Sequence, residues 1–106
     1  MTRFTLSPEA ERDVAEIWLY TADNWGLDQA DRYVLGIKDD LARADPNSPL
    51  VRPIDGLWRL KSGLHLCIFR RDSDSEIVVV RVLHERMDVA RHLPGGRDRG
   101  PTDVSP

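Results

Sequence analysis

Glu76-Ile77-Val78-Val79-Val80-Arg81-Val82-Leu83-His84, followed at once by Glu85-Arg86-Met87-Asp88, is the stretch on which the fold turns. Nine residues rich in β-branched side chains read as a buried strand, which then breaks into a cluster of charges. Arg81 sits inside the apolar run. There it must pair with an acid or reach a solvent-facing edge, because an unpaired buried charge is costly. In a chain of 106 residues, one domain with one modest core, such a strand predicts a sheet whose surface binds something.

Two more strands are expected immediately upstream. Leu57-Trp58-Arg59-Leu60-Lys61 alternates apolar and basic residues, as a strand with one wet face should. Ser62-Gly63 turns the chain into Leu64-His65-Leu66-Cys67-Ile68-Phe69-Arg70, and Arg71-Asp72-Ser73-Asp74-Ser75 reads as a polar hairpin loop before the last strand. Arg52-Pro53-Ile54-Asp55-Gly56 reads as a loop. Near the start, Phe4-Thr5-Leu6 is a short strand, and Ser7-Pro8-Glu9 signals a helix with a hydroxyl N-cap, proline in the first turn and an acid behind it. Ala10, Val14, Ile17 and Thr21 form its apolar stripe, Trp18 widens the stripe, and Trp25 is expected just beyond the helix end at Gly26. Leu27, Ala30, Val34, Ile37, Leu41 and Ala44 form the seam of a second helix, flanked by Tyr33 and stopped by Asp45-Pro46-Asn47-Ser48-Pro49.

The expected order is β-α-α-β-β-β: an α+β domain over residues 1–93, with a helical hairpin on one face of a small antiparallel sheet. Met87 to Leu93 is expected to add a helical turn, and residues 94–106, rich in glycine and charge, to form a disordered tail. The other sheet face, carrying Arg59, Lys61, His65 and Arg81, is the candidate working surface.

The net charge of −3 hides an asymmetry. Residues 1–50 hold ten acids and five bases, whereas residues 51–106 hold eight acids and ten bases. The strand half should attract acidic partners, while the acidic whole argues against bulk nucleic-acid binding. The lone Cys67 cannot form an internal disulfide and fits a reducing cytoplasm. No apolar stretch approaches a membrane span, and the start reads as folded pattern instead of a signal peptide.

Motifs for chemistry are sparse. His84-Glu85-Arg86-Met87-Asp88 stands one residue from a zinc-protease helix motif, but His84 ends a strand, so no metal is expected. Gly95-Gly96-Arg97-Asp98-Arg99-Gly100 lacks the preceding strand of a phosphate loop. Metal-free RNA cleavage is the serious enzymatic reading: Arg59, Arg70, Arg81 and Arg86 offer charge, and His65, His84 or Glu85 could move protons. The competing reading makes these solvated sheet edges, with Arg81 paired to Glu76, Glu85 or Asp88. Trp18, Trp25 and Trp58 are read as packing residues more than a nucleic-acid platform.

Leu6-Ser7-Pro8-Glu9-Ala10, Ala30-Asp31-Arg32-Tyr33, Gly56-Leu57-Trp58-Arg59 and Arg81-Val82-Leu83-His84 together resemble the ParE branch of the RelE/ParE toxins, over roughly residues 4–93. These are small toxins of type II toxin–antitoxin modules. The resemblance implies the same β-α-α-β-β-β arrangement, no cofactor, a cytoplasmic location and non-enzymatic inhibition of DNA gyrase. It implies a ParD-like antitoxin, a heterotetramer with it, and DNA contact only through that partner. The candidate target-binding residues are Arg59, Arg81, His84, Arg86, Asp88 and Arg91. The candidate antitoxin-binding residues, where exposed, are Trp18, Tyr20, Trp25 and Tyr33. RelE-like relatives cut messenger RNA on the ribosome, and in that alternative His84, Arg59 and Arg81 would be catalytic. Such enzymes commonly carry a late tyrosine, whereas this chain has none after Tyr33. A third alternative is an inactive, antitoxin-binding relative.

Overall fold

Ser7 opens the first helix as its hydroxyl predicts: Oγ accepts from the Ala10 N–H at 3.0 Å, and Pro8 occupies the first turn. The computed structural model describes residues 2–44, 48–73 and 75–93. Helix α1 spans Pro8–Trp25 and helix α2 spans Leu27–Ala42. Gly26 alone joins them, at φ 96°, a conformation that favours glycine. Trp25 therefore belongs to α1 as its last residue, not to the connection. Ala30, Ile37 and Leu41 of the α2 seam are buried, but Leu27 is exposed, one turn too early to reach the core. The helix ends at Ala42, and the expected stop residues Asp45, Pro46 and Asn47 lie outside the described residues.

Five strands form one sheet: β1 (Arg3–Leu6), β2 (Val51–Ile54), β3 (Leu57–Ser62), β4 (His65–Ser73) and β5 (Glu76–His84). Their spatial order is β1-β5-β4-β3-β2. The helical hairpin carries the chain from one sheet edge to the other, and an antiparallel meander returns it until β5 lies beside β1. Those two run parallel, with Arg3 opposite Glu76 and Leu6 opposite Val79. The α+β layout with helices packed on a sheet is as expected. The sheet is mixed, however, because a strand that leaves by a helical crossover and is rejoined from the far side meets its neighbour in the same direction.

Two segments expected to be loops are strands. Val51–Ile54 pairs with β3, and Pro53, opposite Trp58, is tolerated because β2 is an edge strand. Asp55 and Gly56, at φ 49° and 81°, make the two-residue turn that joins them. Arg71, Asp72 and Ser73 extend β4 past Arg70, with register irregularities between Ile68 and Phe69 and between Arg71 and Ser73.

Alternation along β4 places Cys67 and Phe69 on one face and Leu66 and Ile68 on the other. The first pair joins Ile37, Leu41, Leu60, Ile77 and Val79 in the main core beneath the helices. The second pair joins Leu83 and Leu93, with Val89 packed alongside. A short 3₁₀ helix, Val89–His92, thus brings Leu93 onto the outer sheet face, which is partly covered instead of open. The expected tail, residues 94–106, lies outside the described residues. No helix among the described residues is long and apolar enough to cross a membrane.

Candidate functional site: a groove between the helices and the last strand

Asp13, Glu16, Ile17, Tyr20 and Thr21 recur at helical spacing along α1 and form one wall of a groove of about 560 Å³. Trp25, Gln29 and Tyr33 extend that wall, and Leu64, His65 and Met87 lie across from it. Four consecutive β5 residues, Arg81 to His84, also line the groove. Side chains alternate along a strand, so four in a row mean that the strand's edge faces the cavity. Pairing with β1 ends at Val79, where the chain turns into α1, and beyond that point the helix lies beside the edge.

Asp13 fastens this edge. Its carboxylate accepts from Arg81 Nε at 2.7 Å, from Arg81 Nη2 at 3.0 Å and from the Val82 N–H at 2.9 Å. The hydrogen bond to Asp13 raises the Arg81 pKa, so the guanidinium is a fixed cation. Its acid comes from α1 and not from Glu76, Glu85 or Asp88. Helix and strand approach closely there, and a bidentate pair satisfies both the guanidinium and a free strand-edge donor.

Tyr33 fastens the opposite side. Its hydroxyl accepts from the Leu64 N–H at 2.9 Å and lies 2.6 Å from His65 Nδ1. The His65 tautomer sets the direction of that second bond: Nδ1 accepts from the hydroxyl when the ring proton is on Nε2. His65 therefore faces α2, not the outer sheet face with Arg59 and Lys61. The His65 ring meets His84 edge-on, with centroids 5.3 Å apart, and His84 Nδ1 accepts from the Arg86 N–H at 3.1 Å. Burial lowers the His65 pKa, and the neighbouring His84 charge adds to the effect. Burial likewise raises the pKa of Tyr33 and pushes the Cys67 thiol up to about 12, which leaves that thiol unreactive.

The Tyr33 contact requires Gly63. Its φ is +59°, and a Cβ there would stand 2.7 Å from the Tyr33 hydroxyl oxygen. Gly63→Ala is expected to destabilise the fold by about 1–3 kcal/mol, from backbone strain and displacement of Tyr33. Urea unfolding should show part of the loss relieved in a Tyr33→Ala background. An unchanged midpoint for Gly63→Ala would dissociate the turn from the Tyr33 contact.

The expected site residues fall into two groups. Arg81, His84, Tyr20, Trp25 and Tyr33 all line the groove. Tyr20 and Trp25 are 63% and 65% exposed, packed edge to face. Trp18 does not line it; its indole N–H donates to Asp31 and ties the two helices together. Arg59 is also outside the groove, in the strand phase of Leu57, and Arg86 is exposed. Asp88 and Arg91 form an exposed ion pair at 3.2 Å. His84, Arg59 and Arg81 are thus not gathered at one point, since Arg59 sits apart and Arg81 is engaged by Asp13. Sequence reasoning missed Asp13, Leu64 and Met87. The spacing of Asp13, Ile17 and Tyr20 carried a signal for a second stripe on α1, but nothing local linked Asp13 to Arg81. No group of three or more His, Cys, Asp or Glu residues among those described is placed to hold a metal ion.

Residues 4–89 match the family described as ParE toxin of the type II toxin-antitoxin system, parDE. The chain belongs to that family. It is 41% identical over 96 residues to Toxin ParE1 of Mycobacterium tuberculosis, covering 87% of this chain and 98% of that one. It is 30% identical over 97 residues to Toxin ParE1 of Caulobacter vibrioides, covering 88% and 99% respectively. The fold is similar to a solved structure of the chromosomal ParDE system from P. aeruginosa, with a TM-score of 0.65 at 20% identity over 79% of this chain and 96% of that one.

Proposed function

We propose that this ParE-family toxin acts by binding and not by catalysis, with DNA gyrase as its target, and that a ParD-like antitoxin neutralises it in the cytoplasm. The observation that carries the reading is the groove between α1, α2 and the edge of β5, with exposed Tyr20 and Trp25 at its rim. Large aromatics left exposed beside an apolar groove mark protein interfaces. An amphipathic antitoxin segment would lay its apolar side there, and its acidic residues would meet the bases of the strand half. Two toxin and two antitoxin chains would form the complex, and the antitoxin alone would contact DNA. The dispersal of Arg59, Arg81 and His84 supports binding over RNA cleavage, because phosphoryl transfer needs its acid, base and cations at one point. Arg86, Asp88 and Arg91, exposed just past β5, are proposed to dock the target together with Arg59.

The test is a supercoiling assay with purified gyrase, relaxed plasmid and ATP, with this chain added alone or with the antitoxin encoded beside it. Supercoiling should stop in the first case and recover in the second. Gyrase unaffected at excess toxin, with messenger RNA cut in a translating extract, would overturn the proposal in favour of a ribosome-dependent nuclease.

A further inference from the structure

The Nδ1 atoms of His65 and His84 are both engaged: the Arg86 backbone N–H donates to that of His84, and that of His65 lies 2.6 Å from the Tyr33 hydroxyl, from which it accepts in the Nε2–H tautomer. In a neutral imidazole with Nδ1 accepting, the proton resides on Nε2. Both rings line the groove, and neither Nε2 has a hydrogen-bond partner among the described residues. The wall thus presents two neighbouring N–H donors. Covering them with a purely apolar surface would strip their water and cost roughly five- to hundredfold in affinity for each donor. An occupant that binds well must bring acceptors.

We infer that His65 and His84 form a paired donor site for one carboxylate side chain, Asp or Glu, of the segment that docks in the groove. This rests on the reading that an antitoxin segment is the occupant. A carboxylate suits the site because its two oxygens can take one donor each from rings 5.3 Å apart. The surrounding charges leave room for it. Glu85 is held by Lys61 at 3.0 Å, and Arg86 adds a cation just beyond. Tyr33 and Cys67, with raised pKa values, stay neutral. On the α1 side Asp13 is engaged by Arg81, so Glu16 is the acid left to face a base on the same segment. The docked segment therefore has a polarity, with acid at the histidines and base at Glu16.

A pH signature follows. In the free protein His65 titrates below the ordinary 6.5 because burial and His84 disfavour its charge. A carboxylate against the rings favours the charged form of His65 and raises its pKa in the complex, the added proton going to Nδ1 while the Tyr33 hydroxyl turns to accept it. A base whose pKa rises on binding takes up a proton, so affinity must increase as pH falls from 8 toward 6.

The experiment is calorimetric titration of the full-length toxin with the antitoxin encoded beside it, in two buffers of different ionisation enthalpy at pH 6.5 and pH 8. Net proton uptake at pH 6.5 and roughly tenfold tighter binding than at pH 8 are expected. His65→Gln keeps a donor near the Nε2 position but cannot titrate. It should flatten the pH dependence, whereas His84→Ala should lose about tenfold at pH 8. Thermal melting checks that each variant is folded, and the glutamine variant decides the matter if the alanine variant is not. Tight binding with no proton uptake would overturn the inference and leave a backbone carbonyl as the acceptor. Proton release, or weaker binding in acid, would overturn it by showing a cation at the rings. If no complex forms, the antitoxin reading fails and the carboxylate site fails with it.

Discussion

Asp13→Ala is expected to destabilise the protein by about 3 kcal/mol or more, among the largest effects of any single change outside the apolar core. The aspartate side chain is 11% exposed and that of Arg81 24%. Removing the carboxylate breaks both guanidinium contacts and the cap on the Val82 N–H, and it strands a cation in a poorly hydrated place. Arg81 Nη1 would keep its long contact of 3.4 Å to the His92 carbonyl, and partial hydration of the arginine holds the cost near the low end of its range. Arg81→Met should cost less, because it removes the charge along with its need for a partner and retains apolar bulk. A double-mutant cycle by urea unfolding checks the assignment. If Asp13→Ala proved no worse than Arg81→Met, the pair would be an ornament of the surface and not the fastening between α1 and β5.

Phe69→Ala is expected to cost about 3–5 kcal/mol, the range for deleting a fully buried aromatic ring. Phe69 is wholly inaccessible and belongs to the main core with Ile37, Leu41 and Ile77. It also has a polar neighbour. The Arg71 guanidinium lies 4.8 Å from the Trp58 ring centroid and 5.7 Å from that of Phe69, and its two Nη atoms are buried without a hydrogen-bond partner among the described residues. The two rings supply the face that this cation lacks in hydrogen bonds. Loss of Phe69 opens a cavity and weakens that stacking together, so Phe69→Leu, which refills most of the cavity, should recover much of the loss. A fall below about 1.5 kcal/mol for the alanine variant would mean that the site collapses or takes in water at little cost.

The helical hairpin and the three strands from Leu57 onward were readable because each rests on local chemistry. Ser7-Pro8 is a cap and a first-turn proline, Gly26 is a break, and Glu76–His84 is a β-branched run. Strand β2 was hidden by Pro53, which speaks against a strand until its edge position is known. The Asp55-Gly56 pair was the available signal, since that dipeptide favours a two-residue hairpin turn. The parallel pairing of β1 with β5 left no local mark, because register across a helical crossover is settled by packing alone. Within the groove, the exposed aromatics and His84 were legible as residue types, but their company was not. Asp13 meets Arg81 across 68 residues, and Tyr33 meets His65 across 32. No periodicity within either segment encodes such a meeting.

The adjacency of the first and last strands bears on synthesis. Residues of α1 emerge from the ribosome early, but their partners on β5 emerge only after the whole meander has been made. The groove cannot exist on a partial chain, since one wall is translated first and the other nearly last. A nascent or prematurely terminated product would hold the helical hairpin without the strand edge that Asp13 fastens. Folding must wait for long-range pairing, which is slow relative to helix formation. On the proposed reading, a cell translating this toxin meets an interface-competent molecule only at the end of each round of synthesis, which gives the antitoxin time to be on hand.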